Sequence, residues 1–206
     1  NNSACTLELN GPINLLGHLS GYNAANGGGF VILRATNQIR GINGLMFERG
    51  GRVAVSGGHC LYANSTSETW APITFLDTSG YARMGLDPVL TAEVTLSNAI
   101  FAATNSTGTN RHAAFSLSTN PVNGAPQVLR LAGAVSGVGG LRLVSPGNGD
   151  VGHLYLSPGN TYQGGTRIGT GKLFVPSADA LGNGSSLRAA SIGLIRFETR
   201  SDSHLV

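Results

Sequence analysis

Few side chains in this sequence are equipped for chemistry, and none sits at a spacing that announces a reaction. Five histidines, His18, His59, His112, His153 and His204, lie far apart, and no two have the spacing of metal ligands. The acids Asp77, Asp87, Glu93, Asp150 and Asp179 are single and scattered. The densest group is Asp77, Arg83 and Asp87, with Trp70 and Tyr81 close by in sequence. Aromatic faces beside carboxylates suit sugar binding, so Trp70, Asp77, Arg83 and Asp87 are the candidates for a glycan site. The competing reading is a loop packed by its own aromatic residues. Gly147-Asn148-Gly149-Asp150 resembles a calcium turn, but a single copy falls short of the six or more oxygens calcium needs. Gly27 to Gly29 and Gly139-Gly140 precede no helix and are not phosphate cradles. No catalytic residue, metal ligand or cofactor is assigned.

The elements that would position these residues are announced by composition. Glycine accounts for 31 of 206 residues, roughly twice the usual share. Charged residues make up 11% and hydrophobic residues 41%. The apolar residues recur in short, regularly spaced runs, which excludes disorder. The glycines fall between those runs, often after asparagine, as in Asn43-Gly44, Asn123-Gly124 and Asn183-Gly184. Both residue types tolerate the left-handed backbone of a tight corner. The formal charge is +3, and Lys172 is the only lysine. The arginines spread from Arg34 to Arg200 without a cluster in sequence, whereas nucleic-acid binding needs a concentrated basic face. No nucleic-acid partner is expected.

Cys5 and Cys60 fit no zinc motif. Two readings stand: a pair of buried free thiols, or one disulfide pinning the N-terminal segment to a later one in an oxidising compartment. No apolar run approaches the ~18 residues of a membrane-spanning helix. The opening Asn1-Asn2-Ser3 reads as a mature or trimmed form.

Strand-like runs recur every ~8–12 residues with no helical pattern between them. Clear examples are Phe30 to Leu33, Arg52 to Ser56, Ile73 to Leu76, Ala113 to Leu117, Val128 to Leu131 and Lys172 to Val175. Gly80 to Pro88 reads as irregular. Such spacing suits a sandwich, a barrel or a β-helix. Short strands, turns of varied length and glycine pairs at corners favour the β-helix, with a repeat of ~20–25 residues. All 206 residues are expected to form one all-β solenoid domain, with residues 1–40 as its N-terminal coils.

Between Leu131 and Gly184 the pattern sharpens. Gly133, Val135, Ser136, Gly137, Gly139 and Leu141 form an entry. Leu154, Leu156, Asn160, Thr161, Tyr162, Gly164, Gly165, Thr166, Ile168, Gly171, Leu173 and Val175 form a body, and Ala178, Ala180, Leu181 and Gly182 a close. This stretch resembles the autotransporter-associated β-strand repeat, also called the passenger-associated transport repeat. Pro158 stands where that pattern has glycine.

The resemblance implies a right-handed parallel β-helix and a secreted or cell-surface location in bacteria, and no enzyme activity. The expected role is structural: an adhesin or passenger segment, or a self-assembling filament subunit, whose partners are its own copies or surface glycans. The alternative is a carbohydrate-active enzyme or glycan binder on the same fold. In the structural reading Leu154, Leu156, Ile168, Leu173 and Val175 fill the interior, Gly164-Gly165 makes a corner, and Asn160 bonds neighbouring backbone.

Overall fold

The computed structural model describes residues 6–16, 19–22, 30–39, 44–49, 51–63, 70–76, 82–89, 93–103, 112–144, 152–183 and 187–197. The strands are short because glycine and polar corners interrupt the chain so often. In order they begin with β1 (Thr6–Leu9), β2 (Asn14–Leu15), β3 (Leu19–Tyr22), β4 (Phe30–Leu33), β5 (Gln38–Ile39) and β6 (Leu45–Arg49). Next come β7 (Arg52–Val55), β8 (Ile73–Phe75), β9 (Arg83–Leu86), β10 (Val94–Leu96), β11 (Ile100–Ala102) and β12 (His112–Ser116). The last are β13 (Gln127–Leu131), β14 (Val135–Ser136), β15 (Gly140–Val144), β16 (Gly152–Leu156), β17 (Thr166–Val175) and β18 (Leu187–Phe197). The only helical pieces among the described residues are two 3₁₀ turns, Gly58–Leu61 and Ala178–Leu181.

These strands pair in parallel, each with one lying about a repeat away in sequence. The first ladder runs β1-β4-β7-β9-β12-β15-β17, with β18 added on β17. A second runs β10-β13-β16 and closes on the other half of β17. The third is β14-β11-β8-β6-β3, and β2 pairs β5. The chain visits the ladders in turn and comes back one rung further on, which makes the protein a β-solenoid. Thr6 pairs with Phe30 and Phe30 with Arg52, 24 and 22 positions on. Leu141 pairs with Thr166 and Thr166 with Leu187, 25 and 21 positions on. In the middle the step lengthens, and Arg52 pairs with Arg83, 31 positions on.

Parallel in-register stacking places like on like in the interior. One inward row is Val53, Met84, Phe115, Leu143 and Ile168. A second is Val94, Leu129, Leu154 and Leu173. On the third ladder Leu45, Ile73, Ile100 and Val135 align. All belong to one continuous buried cluster. Phe47 and Phe75 stack with ring centroids 4.6 Å apart, and Phe75 meets Phe115 edge-on at 5.9 Å. Each such apolar side chain contributes about 1.5–3 kcal/mol on burial.

Two local readings change. Gly80 to Pro88 is not irregular throughout, because Arg83–Leu86 is strand β9. A glycine and a methionine give it little strand propensity of its own, but it is paired on both sides, and Met84 and Leu86 face the core. Lys172 to Val175 is not a strand by itself but shares one with Thr166 to Ile168. They are the two ends of β17, which serves the first ladder with one end and the second with the other. The chain changes face at Gly171, where φ is +90° and an added Cβ would lie 2.6 Å from the Gly152 carbonyl oxygen.

Candidate functional site

The repeat motif is built into the joints between coils. Asn160 is 4% exposed and serves three partners. Its Nδ2 donates to the carbonyls of Ser157 at 2.8 Å and Ala180 at 2.7 Å, and its Oδ1 accepts from the Val135 N–H at 2.8 Å. Two other buried asparagines do the same work elsewhere. Asn37 donates to the Cys60 carbonyl, and Asn98 to those of Leu61 and Ala71. Thr161 is exposed, and its N–H continues the third ladder by donating to the Val135 carbonyl. Tyr162 is fully buried, with its hydroxyl 2.5 Å from Thr166 Oγ1. Burial pushes the Tyr162 phenol up to about 12, against a smaller downward pull from Thr166.

The motif glycines let neighbouring backbones touch. Gly164 donates to the Gly139 carbonyl, and a Cβ on Gly164 would meet Gly140 N at 2.5 Å. The Gly165 carbonyl, on a residue with φ +75°, accepts from the Leu141 N–H. Gly133 lies over the Asn98 carbonyl, and Gly137 over that of Ala102. Leu154, Leu156, Ile168 and Leu173 lie in the core as expected. Leu181 packs partly buried against the core, and Gly182 ends the second 3₁₀ turn.

Of the candidate glycan group, the structure describes Trp70, Arg83 and Asp87. Asp87 is 2% exposed and belongs to a row of polar contacts running along one corner of the solenoid. Arg34 Nε donates to Asp87 Oδ2 at 2.6 Å and Nη2 to Oδ1 at 3.3 Å, while Nη1 reaches Glu8 Oε2 at 2.6 Å. Ser56 Oγ and the Val89 N–H complete the carboxylate's partners, at 3.0 and 3.2 Å. Burial pushes the Asp87 carboxyl up, but hydrogen bonds from Arg34, Val89 and Ser56 and the guanidinium charge outweigh it. The net position is below the ordinary carboxylate range. Gln127 Nε2 extends the row by donating to the Asp87 carbonyl. Trp70 is engaged separately: its ring lies 4.7 Å from that of Tyr62 and covers Gly58. Asp77 and Tyr81 lie outside the described residues. Cys60 is a free, fully buried thiol donating to the Leu33 carbonyl at 3.1 Å, and burial raises its pKa. Cys5 lies outside the described residues.

Arg83, the remaining candidate, belongs to a feature that reading the linear sequence missed. Arg52 is in register with Arg83. Ala114 occupies the next rung, since its neighbour Phe115 pairs with Met84. Ala114 pairs with Arg142, Arg142 with Arg167, and Arg167 with Arg188. The row in register therefore reads Arg52, Arg83, Ala114, Arg142, Arg167, Arg188 along the first ladder. Arg52 and Arg167 are exposed, and Arg83 and Arg142 half-buried. The signal in sequence is an arginine one position before a core residue in four of five repeats: Arg52-Val53, Arg83-Met84, Arg142-Leu143 and Arg167-Ile168, with Ala114-Phe115 between the second and third. The second ladder carries a different outer row. There Arg130 lies 3.8 Å over the Tyr155 ring and pairs with Glu93, and Tyr155 stacks on Phe174 at 4.2 Å.

Among the described residues no group of three His, Cys, Asp or Glu side chains is placed to hold a metal, and no helix is long and apolar enough to cross a membrane. The fold and these rows define a parallel β-solenoid. Comparison with protein-family models, with curated proteins and with solved structures returns no match.

Proposed function

We propose that the chain is a structural β-solenoid segment of a secreted or cell-surface protein, of the adhesin or passenger kind that its repeat resembles. The observation supporting this reading is where the motif residues go. Asn160, Gly164 and Gly165 are spent joining one coil to the next, and Tyr162 and Thr166 bond each other in the interior. Their chemistry builds length, and the outward rows are left for contact with partners. Asp87, the best-placed acid for sugar chemistry, is held by Arg34 and Ser56, which weighs against a role as proton donor or acceptor. Self-stacking into filaments is a version of the same reading, since a parallel sheet edge accepts another rung from a second copy.

Protease shaving of intact source cells tests the location. Solenoid peptides released before lysis support the reading, and a protein protected until lysis overturns it. Sedimentation over a concentration series tests self-stacking, which a monodisperse monomer at high concentration would remove.

A further inference from the structure

We propose that Asn10-Gly11 is a self-modification site, at which the folded chain, with Arg34 as the activating charge, loses the Asn10 amide as ammonia and becomes aspartate or isoaspartate. The inference rests on this one corner and holds wherever the protein resides.

An asparagine followed by glycine can close into a ring. The Gly11 nitrogen attacks Asn10 Cγ, the new Cγ–N bond replaces the Cγ–Nδ2 bond, and the proton given up by the Gly11 nitrogen leaves with Nδ2 as ammonia. Water then opens the cyclic imide at either carbonyl. One route gives aspartate, and the other gives isoaspartate, with the main chain rerouted through the side chain. Nothing is oxidised or reduced. Glycine suits the step because it has no Cβ to obstruct the ring and its backbone turns freely.

Six Asn-Gly pairs occur in the sequence, and both residues are described at two of them, Asn10-Gly11 and Asn123-Gly124. The second pair is tied into a closed turn. The Gly124 N–H donates to the Asn120 carbonyl at 2.9 Å, the Asn120 N–H to the Ala125 carbonyl at 2.8 Å, and Asn123 Oδ1 accepts from the Ala125 N–H at 3.0 Å. Attack there requires the turn to open first. At Asn10 the matching side-chain bond is impossible, because residue 12 is proline and has no N–H. Among the described residues no backbone hydrogen bond holds the Gly11 N–H. The chain is anchored on either side: the Leu9 carbonyl accepts from the Arg34 N–H, and the Ile13 N–H donates to Asn37 Oδ1. Asn10, Gly11 and Pro12 between these anchors are exposed, and nothing lies within 4 Å of where a Gly11 Cβ would stand.

Arg34 supplies the activation. Its Nη1 donates to Asn10 Oδ1 at 3.4 Å. A cation beside that oxygen draws electrons from Cγ and stabilises the negative charge that gathers on the oxygen as the ring closes. The same Nη1 also donates to Glu8 Oε2 at 2.6 Å, so Glu8 restrains the effect. The aspartate product keeps the guanidinium as a partner, in an exposed pairing that changes stability little.

The test incubates the full chain in mildly alkaline buffer and follows the amide-to-acid mass gain and the isoaspartyl linkage by peptide mass spectrometry. Asn10 should convert at least about fivefold faster than Asn123 in the folded chain, because only Asn123 waits for a local opening. In urea the two rates should converge, since the fold no longer separates them. Gly11→Ala should slow Asn10 strongly and leave Asn123 unchanged. Arg34→Gln, with folding checked by thermal unfolding, should slow Asn10 at least about threefold. Glu8→Ala, at an exposed position, leaves Nη1 to Asn10 and should quicken it; this variant decides the matter if Arg34→Gln does not fold. Folded Asn10 converting no faster than Asn123, or a gap between the two that persists unchanged in urea, would overturn the proposal. So would an Asn10 rate that a folded Arg34→Gln chain fails to lower or that Glu8→Ala fails to raise.

Discussion

Replacing Asn160 by alanine tests whether this solenoid is held at its corners by buried amides. The side chain is 4% exposed and satisfies the Val135 N–H and the Ser157 and Ala180 carbonyls, which belong to successive turns of the chain. Truncation leaves three backbone groups short of a partner. Each buried unsatisfied group costs about 1–3 kcal/mol, and water entering the vacated space recovers part of it. A net loss of about 3–5 kcal/mol follows. Asn160→Asp should be worse than alanine at neutral pH, because a carboxylate would face the same two carbonyl oxygens. Asn123→Ala is the control: Asn123 is exposed and caps only the Ala125 N–H, so it should cost about 0.5–1 kcal/mol. Urea unfolding followed by circular dichroism gives the stability differences, and hydrogen exchange at the Val135 amide reports the joint directly. An Asn160→Ala protein within 1 kcal/mol of the parent, with Val135 still protected, would refute the reasoning.

Asp87 ties stability to acidity. Its carboxyl titrates below the usual range in the folded chain, so its contribution is fully present above about pH 4, the unfolded value, and is lost as pH falls through the folded value. Asp87→Asn should therefore cost about 2 kcal/mol at pH 7, and the difference should shrink below pH 4; a gap that persists at pH 2 would contradict the assignment. Cys60, buried and with its thiol pKa raised, should resist aqueous thiol reagents in a Cys5→Ser background until the protein unfolds; rapid labelling under native conditions would show that the core around it is open. Gly164→Ala would place a Cβ 2.5 Å from Gly140 N and should lower the unfolding midpoint markedly, whereas Gly11→Ala, with nothing within 4 Å, should not.

The fold could be read from residue type wherever one position had one role. Leu154, Leu156 and Leu173 alternate with outward neighbours, so their burial follows from the strand period. Asn160 and the pair Gly164-Gly165 were legible as corner residues because little else suits a tight joint. Strand β9 was not legible, because its pairing comes from strands remote in sequence. The same holds for Asp87, whose partner Arg34 lies 53 residues away and whose contact needs the register to be known. The arginine row was hidden for the further reason that its step is uneven, from 21 to 31 residues, so no fixed period exposes it.

The register itself is the central claim, and spin-label distances measure it. In a Cys5→Ser, Cys60→Ala background, pairs R52C/R142C, R52C/R167C and R52C/R188C lie three, four and five rungs apart. With a strand spacing of about 4.8 Å, the account predicts separations near ~14, ~19 and ~24 Å before the common label offset. Each step should lengthen the mean distance by about one strand spacing. Distances that fail to increase in that order, or that show no common increment, would contradict the solenoid register and the arginine row with it.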